Sequence, residues 1–180
     1  MILTTCWIQL RSPMSPSRGD ETYVLDACVV IDFCGRTDNL RLLLSYVGDE
    51  GVVTSQVLGE LERQRKKHFP RLGTFLDLLK DGVVRVVDPD LADDDVGRIL
   101  RTWSSQFGSG EVSSAALAIS HRWVFVSRDH APMRELHQRE TMKMQSTRDV
   151  LDSLVRVKSI SKSQGERIMK EILSSGKRRR

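Results

Sequence analysis

The stretch from Tyr23 to Phe33 reads YVLDACVVIDF, an apolar run interrupted by a carboxylate, Asp26. Its neighbours Val24, Leu25, Ala27, Cys28 and Val29 supply no side chain to pair with it. An ionised Asp taken out of water is costly unless something compensates. Either the backbone caps Asp26, or a group from a distant part of the chain meets it.

Outward from this run, short β-rich stretches alternate with longer helical ones. The β-rich stretches are YVLD (23–26), GVVTS (51–55), VVRVV (83–87), WVFVS (123–127) and a weaker TMKMQS (141–146). Between them, residues 38–47, 56–67, 71–80, 93–103, 111–121 and 131–139 carry apolar side chains at helical spacing. Strand followed by helix, repeated, predicts an α/β fold with a mostly parallel sheet covered on both faces. Residues 11–21, RSPMSPSRGDE, have the composition of a loop or tail, so 1–21 reads as an N-terminal extension and 22–157 as the domain. Residues 158–180 read as a C-terminal helix and basic tail. In them Ser163 and Glu166 have capping-box spacing, Ile168, Ile172 and Leu173 form a stripe, and Gly176 suits the helix end.

At 180 residues, with 39% hydrophobic and 29% charged residues, the chain is long enough for one domain with its own core. A net charge of +4 is compatible with a polyanionic partner without requiring one. Three cysteines without CxxC or Cys/His spacing suggest neither a disulfide framework nor a zinc site, and suit a reducing compartment. The opening MILTTCWIQL is too short and too polar to span a membrane and lacks the basic start of a signal peptide, so a cytoplasmic location is expected. No GxGxxG or GxxxxGK[ST] follows a strand, which argues against nucleotide binding. A phospho-receiver is disfavoured because no suitably placed Lys follows the last strand.

In open α/β sheets, ligands bind beyond the carboxyl ends of the strands, where strand order reverses. Asp26 closes the first run, and Asp129 follows the fourth. Glu60 lies in the first turns of the helix after the second strand, and Glu111, in GSGEVSSAALA, opens the helix leading into the fourth. Like charges that close raise one another's pKa and oppose folding. A divalent cation resolves the conflict, and Mg²⁺ or Mn²⁺ suits a site built of Asp and Glu oxygens.

The ordered set VLDACVVID, TSQVLGELER, GEVSSAALA and VFVSRD resembles the PIN-domain nucleases, from about Tyr23 to Val155. The resemblance implies a three-layer α/β/α sandwich and metal-dependent cleavage of RNA to 5′-phosphate and 3′-hydroxyl ends, typically by the toxin of a toxin–antitoxin pair. It also implies that Asp26, Glu60, Glu111 and Asp129 bind the metal and that Ser127 is the hydroxyl residue two before the last acid. Two departures stand out. The family often has Thr or Ser, then Asn, after the first acid, where this chain has Ala27 and Cys28. Near the last acid a Thr-Asn-Asp or Thr-Asp-Asp is common, where this chain has Ser127, Arg128 and Asp129. The implied partners are an RNA substrate, a small antitoxin and a second copy of the chain in a homodimer; no membrane partner is implied. The alternative is a PIN-like module that binds RNA or protein without catalysis. RNA would be held at the rim by Arg63, Arg65, Lys66, Lys67, Arg71 and Arg128, with the 177–180 tail a weaker candidate.

Each acid also has an ordinary use. Asp26 could cap the helix starting near Cys28, and Asp129 the helix containing Met133 and Leu136. Glu60 could pair with Gln64 or nearby basic residues, and Glu111 could gain from the helix dipole alone. Asp32 is expected at the surface or, three residues into its helix, in support behind the metal-binding acids; Asp38 is expected as a helix cap, and Asp93 to Asp95 as an acidic helix start. His68, His121, His130 and His137 are expected at the surface, and Cys28 and Cys34 in packing.

Overall fold

β1 (Tyr23–Leu25) is buried along its whole length, and the parity of its residues divides the molecule into two cores. Leu25 shares one core with Val53, Val124 and Val126, while Val24 shares the other with Val52 and Phe125. This is period-2 alternation in strands apolar on both faces, the pattern of a parallel sheet covered on both sides. The computed structural model describes residues 21–128 and 133–177. Most of the expected N-terminal extension, Asp129, His130 and the tail beyond residue 177 therefore lie outside the described residues.

β1 pairs in parallel with β2 (Gly51–Val53) on one side and β4 (Val124–Ser127) on the other, so that Val24 aligns with both Val52 and Phe125. β3 (Arg85–Val86) and β5 (Lys143–Ser146) add at the edges, also in parallel, giving the order β3-β2-β1-β4-β5. One face is covered by α1 (Ala27–Val30) with its π-helical continuation Ile31–Arg36, by α2 (Leu40–Val47), α3 (Ser55–Lys67) and α4 (Leu72–Lys80), and by α8 (Thr147–Arg156) and α9 (Lys162–Lys177). The other face carries α5 (Asp94–Trp103), α6 (Ser109–His121) and α7 (Arg134–Glu140). The fold is a three-layer α/β/α sandwich with an all-parallel sheet.

Local chemistry accounts for most boundaries. Asp93 caps α5, accepting from the Asp95 and Val96 N–H groups at 2.8 and 3.4 Å. α8 is not among the helices expected above, although Val150, Leu151 and Leu154 have helical spacing and enter the core; its start is set by a capping box in which Asp149 N–H donates to Ser146 Oγ (3.1 Å) and Ser146 N–H to Asp149 Oδ2 (2.7 Å). α9 starts two residues before the Ser163–Glu166 box expected above, because Ser161 and Gln164 form the box instead (3.2 and 2.8 Å). Ile168 and Ile172 enter the same core as β1, whereas Leu173 is 55% exposed and off the stripe. Asp38 is not a cap: its φ of 55° places it in the left-handed region, and Asn39 takes the N-cap position of α2. Among the described residues no helix is long and apolar enough to cross a membrane.

Candidate active site

Strand order reverses between β1 and β4: β2 and β3 extend from one side of β1, β4 and β5 from the other. Asp26 follows β1 and Ser127 ends β4, so both stand at the carboxyl edge of this switch point. The two segments are bonded there, with Asp26 N–H donating to Val126 O at 2.9 Å.

Asp26 is 3% exposed and occupies the N-cap position of α1, but its side chain caps no helix N–H. The carboxylate is turned toward β4 instead. Its Oδ2 accepts from Ser127 Oγ at 3.1 Å and from Cys28 Sγ at 2.7 Å, and Oδ1 takes part in neither bond. The partner sought for the carboxylate in YVLDACVVIDF is thus partly supplied by β4, 101 residues away. Cys28 is more than packing: burial, then the charge and hydrogen bond of Asp26, push its thiol well above the ordinary range and keep it a proton donor to Asp26.

Glu60 and Glu111 arrive from α3 and α6, which pack against one another at Gly110. A Cβ at Gly110 would lie 3.4 Å from both Glu60 Oε2 and Val57 Cγ2. Ser113 Oγ also donates to Gln56 Oε1 across the two helices at 3.0 Å. Glu111 lies at the third position of α6, where its Oε2 accepts from Gly108 N–H at 3.1 Å. Gly110→Ala is expected to help α6 by up to about 1 kcal/mol, since the added methyl meets Glu60 Oε2 and Val57 Cγ2 at contact distance. Thermal melts should show stability held or raised slightly.

Burial raises the pKa of Glu60, and the charges of Asp26 and Glu111 raise it further, against the pull of Arg63. Burial likewise raises Glu111, helped by Asp26 and opposed by its bond to Gly108. Three carboxyl groups from three separate segments therefore lie within electrostatic reach of one another. Among the described residues, no group of three or more His, Cys, Asp or Glu side chains is gathered closely enough to hold a metal ion. The donor type and the mutual repulsion of these acids fit a hard divalent cation.

A pH dependence follows from the raised carboxyls. A carboxyl raised in the folded state binds its proton more tightly there, so it costs nothing at pH values below the ordinary 4.5 and opposes folding once pH has risen through the raised value. Without metal, the parent should therefore lose stability relative to Glu60→Gln as pH rises above 4.5. Mn²⁺ should narrow that gap. Melts of the two proteins across pH, with and without Mn²⁺, measure it, and a gap that closes with rising pH would contradict the assignment.

Two expectations are corrected here. Asp32 is not a surface carboxylate but is fully buried, and Arg128 is not a free rim cation but is bound to it through two bonds of 2.8 and 2.9 Å. The sequence carries a faint signal for this pair: Asp32 lies four residues after Cys28 and four before Arg36, inside an apolar run that offers no exposed face. Arg63, Arg65, Lys66 and Lys67 are exposed on α3, and Arg71 is exposed with Asp38 4.0 Å away. His68, His121 and His137 lie at the surface. No family model matches the chain, and no curated protein matches it.

Proposed function

We propose that the protein is a divalent-metal-dependent ribonuclease of the PIN type, cutting RNA phosphodiesters at the crevice between β1 and β4. The observation that carries this reading is the meeting of Asp26, Glu60 and Glu111 within electrostatic reach at the switch point of a parallel sheet. With Asp129, which lies outside the described residues, they would hold Mg²⁺ or Mn²⁺. When bound, such an ion lowers the pKa of a water and offsets charge building on the phosphate oxygens. Ser127 and Cys28 orient Asp26 by donating to its Oδ2. α3 carries Glu60 in its middle and exposed Arg63, Arg65, Lys66 and Lys67 beyond it, so the helix that contributes an acid also offers cations to the phosphates flanking the cut. On the family resemblance, the setting is a toxin restrained by a small antitoxin.

A second reading, a PIN-like module that binds RNA or protein without cutting, is favoured by one observation: Ala27 and Cys28 follow Asp26 where the family often has a hydroxyl residue, and the Cys28 thiol donates to Asp26 Oδ2 at 2.7 Å. Labelled single-stranded and structured RNAs incubated across a Mn²⁺ titration separate the two. Metal-dependent cleavage leaving 5′-phosphate ends supports the nuclease. Binding without cleavage at every metal concentration rejects it in favour of the module.

A further inference from the structure

Asp32, in the π-helical segment after α1, is fully buried, and its carboxylate is met from three segments. Arg128 donates to it through Nε (2.8 Å, to Oδ2) and Nη2 (2.9 Å, to Oδ1). Arg36 Nη1 stands 3.4 Å from Oδ1, and Thr147 Oγ1 donates to Oδ2 at 3.4 Å. Arg128 is also held at its backbone, its N–H donating to Cys28 Sγ at 3.1 Å, while its Nη2 reaches Cys28 O at 3.5 Å. One carboxylate thus joins the chain after β1, the residue after β4 and the first residue of α8, which follows β5. These are the carboxyl ends of three adjacent strands.

Buried ion pairs add little net stability, because desolvation offsets their attraction. What a guanidinium fork on a carboxylate supplies is orientation, since two parallel bonds admit one arrangement. The residue so oriented is next to Ser127, whose hydroxyl donates to Asp26.

We infer that Asp32 is a positioning residue for the proposed reaction: by gripping Arg128 it holds Ser127 on Asp26 and the Arg128 N–H on Cys28, and so fixes how the Asp26 carboxylate faces the crevice. The metal-binding part of this inference rests on the nuclease reading; the geometric part stands without it.

The test is the double variant Asp32→Leu/Arg128→Met, which removes both charges of the fork together and leaves Arg36 its bond to Ile172 O at 3.3 Å, so that most of the stability is kept while orientation is lost. Two quantities are measured at a temperature where parent and variant are both folded. The first is the rate at which iodoacetamide alkylates Cys28, resolved from Cys6 and Cys34 by peptide mass spectrometry. Release of Ser127 and the Arg128 N–H should make it several times faster. The second is the Mn²⁺ concentration that half-saturates thermal stabilisation, which should rise about 10- to 100-fold, as for lost outer partners of metal ligands. A contact that serves stability alone moves neither quantity at unchanged melting temperature. A Cys28 rate equal to the parent's overturns the inference, and so does an unchanged Mn²⁺ half-saturation. If the parent itself shows no Mn²⁺ response, the nuclease reading fails, and the Cys28 rate alone decides the geometric claim. Should the double variant not fold, Asp32→Asn is read in the same two ways.

Discussion

Asp26→Asn is expected to lower Mn²⁺-dependent RNA cleavage by about 10³-fold, equivalent to the several kcal/mol of transition-state charge stabilisation that a bound metal supplies. The substitution removes a charge and keeps the shape. Asn can still accept the Ser127 hydroxyl and the Cys28 thiol through its carbonyl oxygen, so the local bonds are preserved. In the metal-free protein it also removes the charge that Glu60 and Glu111 feel. The variant should therefore melt no lower than the parent without metal, and should lose any stabilisation by Mn²⁺. A helix cap would give little change from Asn, which also caps well, and no metal effect in either protein. Cleavage undiminished in the variant would remove Asp26 from the chemistry altogether.

Arg128→Met, made alone, should cost about 3 kcal/mol of stability, at the lower end of what breaking one side of a buried pair costs. The lower end applies because Arg36 remains 3.4 Å from Asp32 and Thr147 still donates to it. In a domain of this size that corresponds to a fall in melting temperature of roughly 6–12 °C. The loss should shrink in acid, since a protonated Asp32 no longer needs a cation. Adding Asp32→Leu should restore most of the stability, by removing the stranded charge. A single-variant loss below about 1 kcal/mol would mean that water takes over the role of the guanidinium.

The sheet was legible because its strands bury both faces: runs such as YVL and VFV are apolar without interruption, and stretches with apolar residues at helical spacing separate them. The positions of Asp26, Glu60 and Glu111 were legible for the same reason, since a strand end or the first two turns of a helix put a side chain near the carboxyl edge. Asp32 was only faintly so, because its partner is 96 residues away and the apolar run around it is the sole local sign of burial. Arg128 offered an equal choice between a phosphate and a carboxylate, which only the packing decides. Cys28 read as a small apolar residue because thiols usually behave as one. In SISKSQGE, Ser161 with Gln164 and Ser163 with Glu166 satisfy the same capping rule, and the spacing could not choose between them.

The pairing of β1 with β4 carries a consequence for synthesis. The bond from Asp26 to Val126 closes a span of 100 residues, so the two central strands meet late and at a large loop-closure cost. On the ribosome, a nascent chain holding only β1, β2 and β3 has no partner for one edge of β1, and Asp26 has no hydroxyl from Ser127. The acidic crevice therefore assembles only after Ser127 has emerged from the exit tunnel, and a message truncated before that codon yields a fragment without it.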